Sequence, residues 1–244
     1  MLRPIAICAL CSLPAFASAA PITLDASDTG WYNLTGIQQP RVDNYLVGDP
    51  TSDLASAEFR NFFVFDLSAL SGTFSSALLR VWNPSLAAGG DTDGFGSPDP
   101  TETYELHEVS TSVVSLLDRS GGTSVFDDLG DGAVFGSYTA SLADNGTFVE
   151  ILLNGAGLAA LNDHVAGFFA LGGAISTLNN DTTDSERLFA ASGSIQGGVP
   201  PSRVSVVLTP VAVSEPGALV LAMMGLAVLA WMRMRKRVVI SSRA

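Results

Sequence analysis

Between Ile22 and Leu208, short runs rich in Val, Phe, Tyr, Thr and Leu alternate with clusters of Gly, Asp, Asn, Pro and Ser at a spacing of about 8–12 residues. Branched and aromatic side chains suit a pleated, half-buried surface, and the intervening residues suit turns, so the pattern predicts an all-β domain. The candidate strands are Ile22–Ala26, Trp31–Thr35, Asn44–Val47, Phe59–Leu67, Ser75–Trp82, Thr103–Val109, Ala133–Ser141, Thr147–Leu153, Gly167–Leu171, Glu186–Ala190 and Arg203–Leu208. A two-sheet β-sandwich closes that many strands most simply. In Ala77–Trp82 and Phe148–Leu152 apolar and polar side chains partly alternate, which marks Arg80 and Glu150 as outward-facing.

Two short helices are expected as connections within the sandwich. One covers Ser112–Leu117, with Ser110 and Thr111 as candidate caps. The other covers Ala156–Val165, introduced by Asn154 and carrying Leu158, Leu161 and Val165 at helical spacing.

The two ends read differently from the middle. Residues 1–20 combine Arg3, an apolar run from Ile5 to Phe16 and the small residues Ala17, Ser18, Ala19 and Ala20. That order predicts a signal peptide cut by signal peptidase after Ala19 or Ala20, with Ala17 in the small subsite before the cut. Cys8 and Cys11 are the chain's only cysteines and both lie in this leader. The mature protein is therefore expected to use no disulfide, Cys-ligated metal or catalytic cysteine.

At the other end, residues 210–213 link the last strand to Ser214-Glu215-Pro216-Gly217, an uncharged apolar stretch 218–232, and the basic cluster Arg233, Arg235, Lys236 and Arg237, with residues 238–244 following. Pro216 and Gly217 separate the motif from the apolar stretch, whose Ala, Leu, Val and Met favour helix in an apolar medium. The expectation is a C-terminal transmembrane helix. The basic cluster stays cytoplasmic and holds the domain outside, the orientation that the leader also imposes. The stretch is shorter than the ~20 residues of a comfortable span, as suits an anchor that is later processed or one lengthened by interfacial residues such as Trp231.

Residues 214–237 resemble the PEP-CTERM sorting domain of Gram-negative bacteria, although Ser214 stands where that family has Pro. The resemblance implies export through the inner membrane, recognition of the tail by the membrane protease exosortase, and delivery to the cell surface or extracellular matrix. A second resemblance begins at Arg60 and continues through Phe65-Asp66-Leu67-Ser68, Leu70-Ser71-Gly72 and Ser76-Ala77-Leu78-Leu79-Arg80. With Phe148–Leu161, Phe168–Leu171 and Pro201–Val206 these segments are similar, in order, to DNRLRE-type domains, which are jelly-roll sandwiches related to carbohydrate-binding modules. The matching residues specify packing and turns, so the resemblance implies a jelly-roll-like domain over residues 21–209 and carries over no ligand-binding residue.

Charge narrows the partners. Residues 21–214 hold six Arg, no Lys and 23 of the 24 acidic side chains, a field that repels phosphates and excludes nucleic acid as a partner. Two acidic segments have the hard oxygen ligands that calcium requires: Asp91, Asp93 and Asp99 with Glu102 nearby, and Asp127, Asp128 and Asp131 among Gly130 and Gly132. The first does not complete an EF-hand loop, and a solvated acidic loop is its alternative. His107 and His164 lack the paired spacing of a zinc site.

Trp31, Tyr32, Tyr45, Trp82 and Tyr104 could stack on sugar rings if exposed, or fill the core if not. No nucleophile elbow, phosphate loop or dinucleotide fingerprint is present, and carboxylate pairs are too abundant to mark a glycosidase cleft. The function expected is that of a noncatalytic surface or matrix protein sorted by an exosortase and associated with exopolysaccharide. A carbohydrate-binding module is the alternative, and a polysaccharide-active enzyme the third reading.

Overall fold

A computed structural model describes residues 20–38, 44–50, 58–84, 94–179, 185–189, 203–211 and 223–230. The compact unit Ala20–Pro210 is a mostly-β, two-sheet fold with few short helices. Its strands are β1 (Ile22–Asp25), β2 (Asp28–Asn33), β3 (Val47–Asp49), β4 (Phe59–Asp66), β5 (Phe74–Asn83), β6 (Thr101–Glu108), β7 (Val134–Ser141), β8 (Thr147–Leu152), β9 (Phe168–Ile175), β10 (Glu186–Leu188) and β11 (Val204–Pro210). One sheet runs β1-β11-β5-β8. The other runs β10-β3-β4-β9-β6-β7, with β2 paired to β4, and every pairing is antiparallel.

The main core lies where the inner faces of the two sheets meet. On β5 the alternation expected from sequence holds: Ala77, Leu79 and Val81 are buried, while Leu78, Arg80 and Trp82 are only partly covered. They pack with Val149 and Ile151 of β8 and Val206 and Leu208 of β11 against Phe63, Phe65, Leu106 and Leu171 of the seven-stranded sheet. At the end of β4, Asp66 accepts from the backbone N–H of Ser68 at 2.9 Å and Gly72 turns the chain at φ +90°, the local roles their residue types suit.

The seven-stranded sheet is covered on its other face as well. Strand β4 has an unbroken apolar run, Phe62-Phe63-Val64-Phe65, because alternate members point into different cores. Phe63 and Phe65 face the opposite sheet. Phe62 and Val64 meet Leu116 of α1 (Val113–Leu117) and Val125, Phe126 and Leu129 of α2 (Thr123–Asp131).

The helices differ from the sequence expectation in number. Besides α1 and α3 (Gly155–Asp163), α2 forms over the acidic segment of Asp127, Asp128 and Asp131, because its three buried apolar residues share one face that the sheet covers. Asn154 caps α3, accepting from the backbone N–H groups of Ala156 and Gly157 at 3.0 Å each. Helix α1 is capped by Ser112, which accepts from the N–H of Ser115, rather than by Ser110 or Thr111.

A second unit comprises residues 1–19 and 211–244, of which Val211 and residues 223–230 are described. Residues 223–230 are helical, with Met223, Met224, Leu226, Val228 and Leu229 exposed. Among the described residues no helix is long and apolar enough to cross a membrane.

Candidate functional site

Two features of the sandwich have chemistry beyond packing. The first is a carboxylate cluster at the short edge strand β10. An isolated bridge between Gly96 and Arg187 lays the segment before β6 along β10, with Gly96 N–H donating to the Arg187 carbonyl at 3.0 Å and Arg187 N–H returning the bond at 2.8 Å. Asn145 fastens the same segment: its side chain accepts from Phe95 N–H at 2.6 Å and donates to the Phe95 carbonyl at 3.2 Å. Asn83 holds the end of β10 by accepting from Phe189 N–H at 3.1 Å.

These ties bring Asp99, Glu102 and Glu186 together, each offering a carboxylate oxygen within 4.8 Å of the others. Glu102 and Glu186 are buried, at 0% and 2% exposure, and Asp99 is exposed. Ser97 Oγ donates to Glu102 Oε1 at 2.6 Å, and Thr177 Oγ1 donates to Glu102 Oε2. Asn179 N–H donates to Glu186 Oε2 at 2.9 Å, whereas Glu186 Oε1 has no partner. Burial pushes the Glu186 carboxyl above its ordinary range, and the negative charges of Glu102, Asp99 and Asp49 add to the effect against the pull of the Asn179 N–H. Asp49 stands opposite Glu186 in the β3–β10 register and is itself raised by burial and by Glu58.

The second feature is the solvent-facing side of the four-stranded sheet. The register sets Trp82 opposite Phe148 and Arg80 opposite Glu150. The Trp82 and Phe148 rings meet edge to face with centroids 5.2 Å apart. The Arg80 guanidinium lies 4.4 Å from the Phe148 ring centroid and donates to Glu150 at 2.9 Å. One row further, Leu78 and the exposed Leu152 continue the surface. The result is an aromatic pair flanked by a fixed donor and acceptor on a rigid strand pair.

The other sequence-predicted residues are distributed as follows. Tyr32, Tyr45 and Tyr104 are core residues, and Trp31 packs on Phe59 at 4.5 Å between ring centroids. Of the five aromatics considered for sugar stacking, Trp82 is therefore the one on the open sheet face. Asp127, Asp128 and Asp131 belong to α2 instead of a cation-wrapping loop, so their backbone is helical. Asp128 accepts from the N–H groups of Ser110 and Thr111, and Asp131 lies 3.6 Å from Arg60. His107 sits against the Gly132 carbonyl and His164 against the Ala160 carbonyl. Asp91, Asp93, Ala17, Ala19, Ser214, Glu215, Pro216, Arg233, Arg235, Lys236 and Arg237 lie outside the described residues; Ala20 is exposed at the start of the domain.

Glu186 is the member of the cluster that the sequence reading does not single out. It sits far along the chain from Asp99 and Glu102, and the signal that could have marked it is the acidic run Asp181, Asp184 and Glu186. No protein-family model matches the chain, and no curated protein matches it.

Proposed function

We infer that this chain is an exported, noncatalytic protein of the cell surface or extracellular matrix, sorted by an exosortase at the inner membrane of a Gram-negative bacterium and associated with exopolysaccharide. The observation that carries this reading is the order of signals at its ends: a leader with small residues Ala17, Ala19 and Ala20, then Ser214-Glu215-Pro216, the uncharged stretch 218–232, and Arg233, Arg235, Lys236 and Arg237. The helix at 223–230, with its apolar side chains exposed, is consistent with a C-terminal membrane segment in this reading. The sandwich is jelly-roll-like in this reading.

Mass spectrometry of the endogenous protein from hosts with and without the exosortase tests it. The expected result is a C-terminus near Glu215-Pro216 and a change of cell fraction only where the exosortase is present. The same intact tail in both strains would sink the reading.

The open sheet face favours a second reading, a carbohydrate-binding module. Trp82 and Phe148 offer apolar ring surface to the C–H face of a pyranose, and Arg80 and Glu150 offer a donor and an acceptor to its hydroxyls.

A further inference from the structure

We propose that Asp99, Glu102 and Glu186 form a calcium site that fastens β10 to the start of β6 and to the segment leading into it.

The acidic cluster alone would be unremarkable in so acidic a domain. What distinguishes it is Glu186 Oε1, a buried carboxylate oxygen with no hydrogen-bond partner, in a residue only 2% exposed. Buried polar groups are almost always satisfied, and a carboxylate stripped of water needs a compensating charge or donor. Among the described residues no Arg or His pairs with the three carboxylates. Arg187 is next in sequence, but strand alternation sends its side chain to the opposite face, where the guanidinium lies against Gly96. A cation held among the three carboxylates supplies what the protein does not.

The donor set selects the ion. All three ligands are carboxylate oxygens, with hydroxyls of Ser97 and Thr177 bound to the Glu102 carboxylate. There is no sulfur or imidazole in the group, which disfavours zinc and copper. Oxygen ligands drawn from several segments, mostly buried, suit calcium, which tolerates irregular coordination; magnesium prefers to keep several waters in a strict octahedron. The hydrogen bonds from Ser97, Thr177 and Asn179 orient the carboxylates, as outer partners of metal ligands do. Because the ligands come from β10, β6 and the segment before β6, the ion would add to the ties already there: the β3–β10 ladder, the Gly96–Arg187 bridge, the Gly94 N–H to Phe189 carbonyl bond and the side-chain bonds of Asn145 and Asn83.

The test is a thermal melt of the full-length purified chain, stripped with EDTA, dialysed, and titrated with CaCl2 or MgCl2 at constant ionic strength. CaCl2 at a hundredfold excess over Kd is expected to raise Tm by about 5–10 °C, and MgCl2 at the same concentration by less than half as much. Glu186→Gln and Asp99→Asn are each expected to weaken calcium binding at least tenfold, and Asp131→Asn on α2 to leave the response unchanged. Asp99 is exposed, so its variant keeps the test usable where Glu186→Gln does not fold. Equilibrium dialysis of the parent chain against radioactive calcium should give one tight ion lost in the Asp99 variant. A parent chain with no shift up to about 10 mM CaCl2, above the range of extracellular calcium modules, overturns the proposal. So does a response lost in Asp131→Asn and kept in Asp99→Asn.

Discussion

Arg119 grips Asp28 with both arms of its guanidinium, Nη1 to Oδ2 and Nη2 to Oδ1 at 2.8 Å each, across a sequence separation that joins the segment after α1 to the first residue of β2. Both side chains are about nine-tenths buried, and the guanidinium also donates to the carbonyls of Leu116 and Thr29 while lying 4.8 Å from the Phe62 ring centroid. Arg119 adopts φ +53°, a conformation that costs a non-glycine about 1–2 kcal/mol, so the pair is held against backbone preference. Removing one partner strands the other charge: Asp28→Ala should cost about 3–5 kcal/mol in urea unfolding. Replacing both, as Asp28→Leu with Arg119→Met, should cost less than the single change. A single change costing under about 1 kcal/mol would mean that water reaches the charge.

Asp128 makes a different kind of tie. From α2 it accepts from Ser110 N–H and Oγ and from Thr111 N–H, closing the turn between β6 and α1. Burial acts to raise its pKa, but the combined hydrogen bonds from Ser110 and Thr111 outweigh it and hold the carboxyl below the ordinary carboxylate range. A folded-state pKa depressed in this way gives stability that is present above the unfolded value of about 3.9 and lost as pH falls through the folded one. Asp128→Ala should therefore cost about 1–2 kcal/mol above about pH 5. The gap between parent and variant should narrow as pH falls below about 4. A gap that stays constant down to about pH 2 in parallel denaturation curves would show that the charge is not what matters.

The strands were legible because each is a short run of β-forming residues between turn residues, and every expected run overlaps a strand, although Asn44–Val47 shares only Val47 with β3. Their limits were less so, because a partner strand sets them. β2 begins at Asp28 since Asp28 to Asn33 align with Val64 to Phe59, although neither Asp28 nor Gly30 favours strand by itself. Helix α2 was hidden by its aspartates and glycine; Val125, Phe126 and Leu129 make one face over only two turns, too short a repeat to outweigh composition until a sheet covers it. In the carboxylate cluster, Asp99 and Glu102 are close in sequence and could be suspected together. Glu186 joins them through the β3–β10 pairing, the Gly96–Arg187 bridge and the Gly94 N–H to Phe189 carbonyl bond, long-range pairings with no local signature.

Strand β9 runs through Gly172 and Gly173, where the sequence suggested that it stops at Leu171, and both glycines are there for close approach. A Cβ on Gly172 would lie 2.5 Å from the Leu129 carbonyl oxygen and 2.8 Å from its Cα, so α2 rests its backbone on this point of the sheet. Strand pairing prevents β9 from yielding, and α2 must move. Gly172→Ala should destabilise the domain by about 2–4 kcal/mol, as overpacking against backbone does. Amide exchange should accelerate first in residues 123–131. Equal loss of protection in β5 and α2 would place the strain elsewhere.

The open sheet face makes the strongest demand on the glycan-binding reading, because its residues can be changed without touching the core. Trp82 is half-buried and packs edge-on to Phe148, while its neighbours Val81 and Asn83 point inward and are fully buried. Trp82→Ala should therefore cost little stability by core standards, about 1–2 kcal/mol. It should nevertheless weaken saturable binding to the host's own exopolysaccharide at least tenfold, because a central aromatic anchor carries a large share of binding energy. Glu150→Gln, which keeps the shape and removes the charge that fixes Arg80, should weaken binding less, since the ion pair is largely exposed. Titration by calorimetry of the three proteins, each checked for an unchanged far-UV spectrum, separates the cases. Equal affinity in parent and Trp82→Ala would remove this face from consideration as a sugar platform, while the assignment of the sorting tail would stand on its own observations.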